Sequence, residues 1–341
     1  MSDQAAGCHP TLHAPHHPAL EPMRPYDLSG LVTYDLVSRP SKVFHDDLGR
    51  LVGPETSMHD WLSSLPRQLG ANDVRRVAQH LARAKREGRT VAIGLGGHVI
   101  KTGCAPYLID WVKQGLIKGV AMNGSAAIHD FELALAGKTS ENVTAQLPNG
   151  QFGMVRETAD AFAVAARVGA ENEMGLGAAL GKHLHDVGCD HPDASLVLAC
   201  YHAGVPCTIH VALGTDIVHM HPHVSGACLG EASLVDFRRL CSVVASMQHG
   251  VWMNLGSAVI MPEVFVKAVS VVNNFGHNLD GLVTVNLDKQ AQYRSRVNVL
   301  ERPSCEGIEL IGYHEVMLPL LHAAVACELA KKRHEPVATA A

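Results

Sequence analysis

From about residue 70 onward, two patterns of apolar and polar positions take turns along the chain. Short, nearly unbroken apolar runs alternate with longer stretches in which apolar residues recur every three or four positions. The first pattern suits strands buried on both faces, and the second suits helices with one buried stripe. Residues 72–87 open the series as a helix. Val74, Val77, Leu81 and Ala84 share a face, with Asn72 as a start signal and Gly88 as a stop. TVAIGLGG at 90–97 then reads as a buried strand ending in glycines. Residues 103–115 predict a helix, 120–122 a strand and 126–136 a helix. The alanine-rich stretch 156–185 predicts two helices broken near Gly169. Further helices are expected at 194–203, 234–248, 264–274 and 315–331, and further strands at 205–213, 251–255, 282–286 and 308–311. Residues 214–230 read as one long loop. Strand–helix alternation of this kind predicts an α/β fold: a Rossmann-like, mainly parallel sheet with helices on both faces.

Residues 71–332 are therefore expected to form a single domain. Residues 1–70 read as an N-terminal arm, partly disordered, and a lead-in segment, and residues 333–341 as a flexible tail. The arm begins CHPTLHAPHHP, in which His9, His13, His16 and His17 sit among prolines without periodicity. Such sequence stays loose.

Composition narrows the function. Lys and Arg number 28 against 33 Asp and Glu, a formal net charge of -5, which is not the footprint of a nucleic-acid binder. The apolar region 251–272 is interrupted by Asn254, Pro262, Glu263 and Lys267, which a membrane-spanning helix would not carry at its centre. No apolar secretory segment opens the chain. Nine cysteines occur without a CxxC pair and read as reduced, buried side chains, so a cytoplasmic location is expected.

Ligands of open parallel sheets bind beyond the carboxyl ends of the strands. Four of the expected ends carry small or polar residues. The first is Gly94, Gly96, Gly97 and His98, where glycines let backbone approach a phosphate and a helix follows. Its spacing is not GxGxxG, since Val99 stands at the third glycine, and a tight turn without ligand is the competing reading. The second is Asn123, Gly124 and Ser125, able to bind a ligand or merely to cap a helix. Gly256 and Ser257 form the third, and Asn286 with Asp288 and Lys289 the fourth. In the loop, His219, His221 and His223 alternate and would share one face of an extended chain, near His210. Imidazoles so placed suit a substrate-facing cluster or a metal site, though no Cys or paired acid stands at ligand spacing. Neither GxSxG nor a P-loop is present.

These strand ends, in this order, resemble the deoxyhypusine synthase family over residues 89–330. AIGLGGHVIKTG and MNGSAAIHDFELALAG are similar to the family's first two NAD-binding segments. VPCTIHVALGTDIVHMH resembles its following strand and acidic loop, and VWMNLGSAVIMPEVFVKAVSVVNN its glycine-triplet strand and helix. DGLVTVNLDKQ and GYHEVMLPLLHAAVA resemble its next strand and C-terminal helix. The resemblance implies a homotetramer binding NAD through Gly96, Gly97, His98, Asn123, Gly124, Ser125, Asp216, Gly256, Ser257 and Asn286. His129 stands where the family has an acidic cofactor contact.

The departures bear on the activity. The family's lysine nucleophile lies in a Trp-Gly-Lys segment, where this chain reads RSRVNVLERPSCEGIEL. The residues implied around the substrate are His219, His221, Lys289, Arg294 and Arg296, whose sign suits an anionic or neutral polar molecule rather than a polyamine. The expectation is an NAD-dependent transferase or oxidoreductase acting on a small molecule by hydride abstraction, with possible group transfer, and not deoxyhypusine synthesis. His219 or His221 would serve as acid/base and Lys289 as an imine-forming amine. His221, Lys289, Arg294 and Arg296 would bind the substrate. The alternatives are an NAD-binding sensor or scaffold without chemistry, and a metal-dependent enzyme using the His219/His221/His223 loop.

Overall fold

The computed structural model describes residues 25–303 and 305–331. The expected histidine-bearing arm up to residue 24 and the expected tail 333–341 lie outside the described residues. The chain divides at Phe44 into two compact units. In the first, residues 25–44 hold one 3-10 turn, Leu36–Ser38, and expose apolar side chains such as Tyr26, Val32 and Val37.

The second unit contains a six-stranded parallel sheet. Its strands are β1 Val91–Leu95, β2 Gly119–Asn123, β3 Cys207–His210, β4 Val251–Leu255, β5 Val283–Asp288 and β6 Glu306–Ile311. They lie side by side in the order β3-β2-β1-β4-β5-β6, every pair parallel. Helices α1 Met58–Ser64 and α2 Leu69–Arg86 precede β1. Then α3 Gly97–Lys101 and α4 Ala105–Lys113 lead to β2. The long crossover to β3 carries α5 Gly124–Ala136, α6 Val143–Gln146, α7 Arg156–Glu171, α8 Leu176–Val187 and α9 Leu196–Ala203. Beyond β3 come α10 Gly226–Ala245, α11 Ile260–Asn274, α12 Tyr293–Ser295 and α13 His314–Ala330.

Alternate strand residues feed two cores. Val91, Ile93, Leu95, Met253 and Val285 pack with α2, α4, α5, α9 and α13. Ala92 and Trp252 pack with α10 and α11, where Trp252 stacks on Phe265 at 4.4 Å. Both faces of the central strands are thus covered, which is why their sequences are continuous apolar runs. No helix among the described residues is long and apolar enough to cross a membrane.

Two expectations are corrected. The middle helices break at residues 172–175, not near Gly169. A Cβ on Gly169 would lie 2.6 Å from the Gly175 carbonyl oxygen, so this glycine lets α7 close on α8; the turn falls at Gly175, with φ +76°. The segment 214–230 is not one loop either. Asp216 caps a 3-10 turn at Ile217–Met220, and α10 starts at Gly226, where the Ser225 side chain accepts from the Cys228 amide.

Candidate active site

The chain order reverses between β1 and β4: β2 and β3 lie to one side, β5 and β6 to the other. In open parallel sheets ligands bind at such a switch point, beyond the carboxyl ends of the strands. The backbones converge there. The Gly96 amide donates to the Leu255 carbonyl at 3.0 Å, and the Gly256 amide donates to Leu287 at 2.9 Å. A Cβ on Gly96 would stand 2.3 Å from the Gly256 oxygen. Gly256 has φ +59°, and a Cβ there would meet His314 Nε2 at 2.6 Å. Glycine is thus required on both sides of the seam.

On the β2 side, Asn123 caps α5, its side chain accepting from Ala126 N at 2.9 Å. A Cβ on Gly97 would press on Ser125 Oγ at 2.4 Å, and one on Gly124 on Asp216 Oδ2 at 2.0 Å. The Asp216 carboxyl therefore lies against the first turn of α5, where backbone amides favour negative charge. Burial pushes its pKa up, partly offset by His219.

His219 folds back on its own loop. Its Nδ1 accepts from the amides of Gly214 at 3.1 Å and Asp216 at 3.2 Å, which leaves the ring proton on Nε2, a buried atom without a partner. His221 Nε2 bonds the Gly153 carbonyl at 2.8 Å, and His223 pairs with Asp160 at 2.9 Å. His219 leaves the expected common face because residues 217–220 turn as a 3-10 helix, whereas the His221 and His223 rings stay edge to face at 5.8 Å. His210 is buried and bonded to Thr208 at 2.9 Å; burial alone lowers its pKa to about 3. Among the described residues no group of three or more His, Cys, Asp or Glu is disposed to hold a metal ion.

The β4–β5 side is a polar network. Asn254 and Asn286 are neighbours across the two strands and fully buried. The Asn254 amide donates to Asn286 Oδ1 at 2.8 Å and to the Ser257 carbonyl at 2.9 Å, and Ser295 Oγ donates to the same carbonyl at 3.1 Å. Ser257 Oγ accepts from Met261 N at 3.1 Å. Asn286 thus lies beneath the crevice and holds up its β4 lip. Lys289 is exposed just beyond β5, in the same charge neighbourhood as His98 and His314. Arg294 is paired with Glu263 and Arg296 with Glu301, each at 3.3 Å. Strand β3, which leads to His219 and His221, lies four strand positions, about 19 Å across the sheet, from β5, which leads to Lys289, Arg294 and Arg296.

A cavity of about 950 Å³ opens beside β2 between α5, the segment 138–158 and residues 215–217. Ser125, His129 and Asp216 border it, so it adjoins Gly97 and Gly124 at the β1 and β2 strand ends. His129 Nδ1 lies 2.7 Å from Thr139 Oγ1, and Thr139 Oγ1 donates to Glu132 Oε2 at 2.5 Å. Glu132 Oε1 accepts from Thr158 Oγ1 at 3.1 Å. Burial foremost, then Lys101 and His98, lower His129 to about 4. None of Lys101, Glu132, Thr139 and Thr158 stood out in the sequence. The i, i+3 spacing of His129 and Glu132 on one helix face was a readable signal; the approach of Thr139 was not.

No protein-family profile and no curated protein matches the sequence. Solved structures do. AgrE, in its ternary complex with ornithine and NAD+, superposes with a TM-score of 0.51 at 12% identity, over 77% of this chain and 34% of that one. ArgZ, an arginine dihydrolase from the ornithine–ammonia cycle in cyanobacteria, gives 0.46 at 15% identity, over 76% and 33%. A candidate deoxyhypusine synthase from Entamoeba histolytica gives 0.46 at 12% identity, over 81% of this chain and 95% of that one. The chain spans about a third of the length of the AgrE and ArgZ chains. The likeness to AgrE establishes the fold, a parallel α/β sheet flanked by helices.

Proposed function

We propose that this chain is an NAD-dependent enzyme that removes hydride from a small anionic or neutral polar substrate, and that it does not make deoxyhypusine. The observation that carries this reading is the strand order β3-β2-β1-β4-β5-β6 with its glycine-tight seam between β1 and β4. A parallel sheet of that order receives dinucleotides at its switch point. The fold shared with AgrE, crystallised with ornithine and NAD+, adds support.

The residues at the rim fit the cofactor. Gly96, Gly97 and His98 would hold it from the β1 end, and the start of α5 at Asn123, Gly124 and Ser125 from the β2 end. Asp216 would accept from a ribose hydroxyl. Gly256 and Ser257 would close the β4 lip, with Asn286 supporting them through Asn254. NAD supplies a hydride acceptor when bound. His219 positions Asp216 through the backbone bonds of the cap, and His221 anchors the cavity wall at Gly153. Lys289 supplies a positive charge beyond β5 suited to a phosphate or carboxylate, to which His98 and His314 add none, since burial lowers the pKa of each. Assembly as a homotetramer belongs to the same proposal.

Calorimetry with NAD and NADP tests the cofactor, with micromolar binding expected. An assay with spermidine, NAD and an acceptor protein tests the exclusion: aminobutyl transfer overturns it. A monomer mass by light scattering removes the tetramer.

A further inference from the structure

Helix α8 turns one face toward β3 and α9, and the residues on that face recur every four positions. A Cβ on Gly177 would lie 2.0 Å from the Cys207 carbonyl oxygen, and one on Gly181 would lie 2.8 Å from the Tyr201 Cβ. His185 comes next on the same face, in the last turn of α8. Its ring centroid is 5.5 Å from that of Tyr201 and 5.2 Å from that of His202, the latter edge to face. His202 lies in the last turn of α9, and its Nε2 stands 3.1 Å from His185 Nδ1. Two glycines thus let the helices close, and the closed helices bring two imidazoles together.

The pair is open to a ligand, since both histidines are exposed. Of the two facing nitrogens one donates and the other accepts, so one lone pair already points into the gap. Moving the donor ring's proton to its far nitrogen frees the second lone pair without loss of a proton. The flanking charges of α8, Lys182 and Asp186, are paired at 2.5 Å and sum to zero. An ion bound at about 2.1 Å from each nitrogen would see them about 95° apart at this separation. That is near the right angle of square-planar and octahedral ions, whereas a tetrahedral ion needs its nitrogens about 3.4 Å apart.

We propose that His185 and His202 form a two-point site for a divalent transition-metal ion, with Cu2+ and Ni2+ bound more tightly than Zn2+. The site goes beyond the NAD-dependent reading and is independent of it: α9 leads into the amino end of β3, and the dinucleotide is assigned to the carboxyl ends of the strands. Two ion–nitrogen bonds replace two ion–water bonds, and water keeps the other positions. For both lone pairs to meet the ion, each ring tilts by about 40° from the line joining the nitrogens, which exposed side chains do freely. Geometry and the general affinity order of nitrogen ligands favour the same ions. The bound ion joins the last turn of α8 to that of α9 and resists the fraying of both.

Hydrogen exchange of the full chain with Ni2+, and anomalous scattering from nickel-soaked crystals, test this. At saturating Ni2+, exchange should slow at least about threefold at residues 184–187 and 201–204 and recover with EDTA. Mg2+, which prefers oxygen ligands, should leave exchange unchanged. His185→Asn and His202→Asn should each abolish the slowing. The combined variant His9→Asn, His13→Asn, His16→Asn and His17→Asn should retain it. The anomalous peak should stand about 2.1 Å from both His185 Nδ1 and His202 Nε2. Unchanged exchange with Ni2+, slowing that survives either single variant, or an anomalous peak only elsewhere overturns the site. Slowing by Zn2+ at a concentration equal to or below that of Ni2+ overturns the stated preference.

Discussion

Gly96 and Gly256 face each other so closely that a Cβ on the first would stand 2.3 Å from the carbonyl oxygen of the second. Gly96 has φ -103°, which any residue tolerates, so space alone requires glycine there. Gly96→Ala should cost about 1–3 kcal/mol by overpacking and weaken NAD binding at least about tenfold. Gly230→Ala, on α10 with nothing within 4 Å, should be neutral or stabilise by up to about 1 kcal/mol. Denaturant unfolding and calorimetry of the two variants check the contrast; equal effects would refute it.

Asn254 supports the β4 lip from below. Asn254→Leu leaves Asn286 Oδ1 buried without its donor, while Ser295 still serves the Ser257 carbonyl. The expected loss is about 1–3 kcal/mol, with faster amide exchange at residues 256–259. Unchanged exchange there would show that the network does not hold the lip.

His221 ties the 3-10 turn to Gly153 across the sequence. His221→Phe keeps a ring but removes the donor, and should cost about 1 kcal/mol. Hydrogen exchange should rise at residues 152–155 and 217–221 and stay unchanged in β1 and β2. A variant with native exchange but no turnover would instead assign His221 to the chemistry.

His210 should make the fold acid-sensitive. Its folded pKa of about 3 lies below the ordinary 6.5, so its stability contribution is complete above pH 6.5 and is lost as pH falls. Between pH 6.5 and 5 the loss is about 2 kcal/mol, from about 1.4 kcal/mol per pH unit. Asp130 and Asp236, raised by burial to about 6 and about 7, act in the opposite sense, favouring the fold at low pH. The comparison is therefore between the natural chain and His210→Gln, whose stabilities should converge as pH falls. Parallel curves would count against a neutral buried imidazole.

Strand β4 was readable to the residue because burial on both faces leaves an unbroken apolar run in VWMNL. Gly169 misled because a glycine that admits a neighbouring backbone looks, in sequence, like one that ends a helix. The caps Asp216 and Ser225 were present in the stretch 214–230, but its glycines and alternating histidines suggested extended chain. Of the candidate site, the strand ends were legible, since sheet topology brings them together wherever they fall in the sequence. The relay of His129, Thr139 and Glu132 was not, because Thr139 reaches α5 through an irregular segment with no periodic signal.

Gly124 and Asp216 lie 92 residues apart in sequence, yet a Cβ on one would stand 2.0 Å from a carboxyl oxygen of the other. Neither position can drift alone. A side chain at 124 would evict the acid, and a shorter residue at 216 would leave a hole that a larger residue at 124 could fill. Descent should therefore have coupled the two, so that sister sequences keep both or replace both.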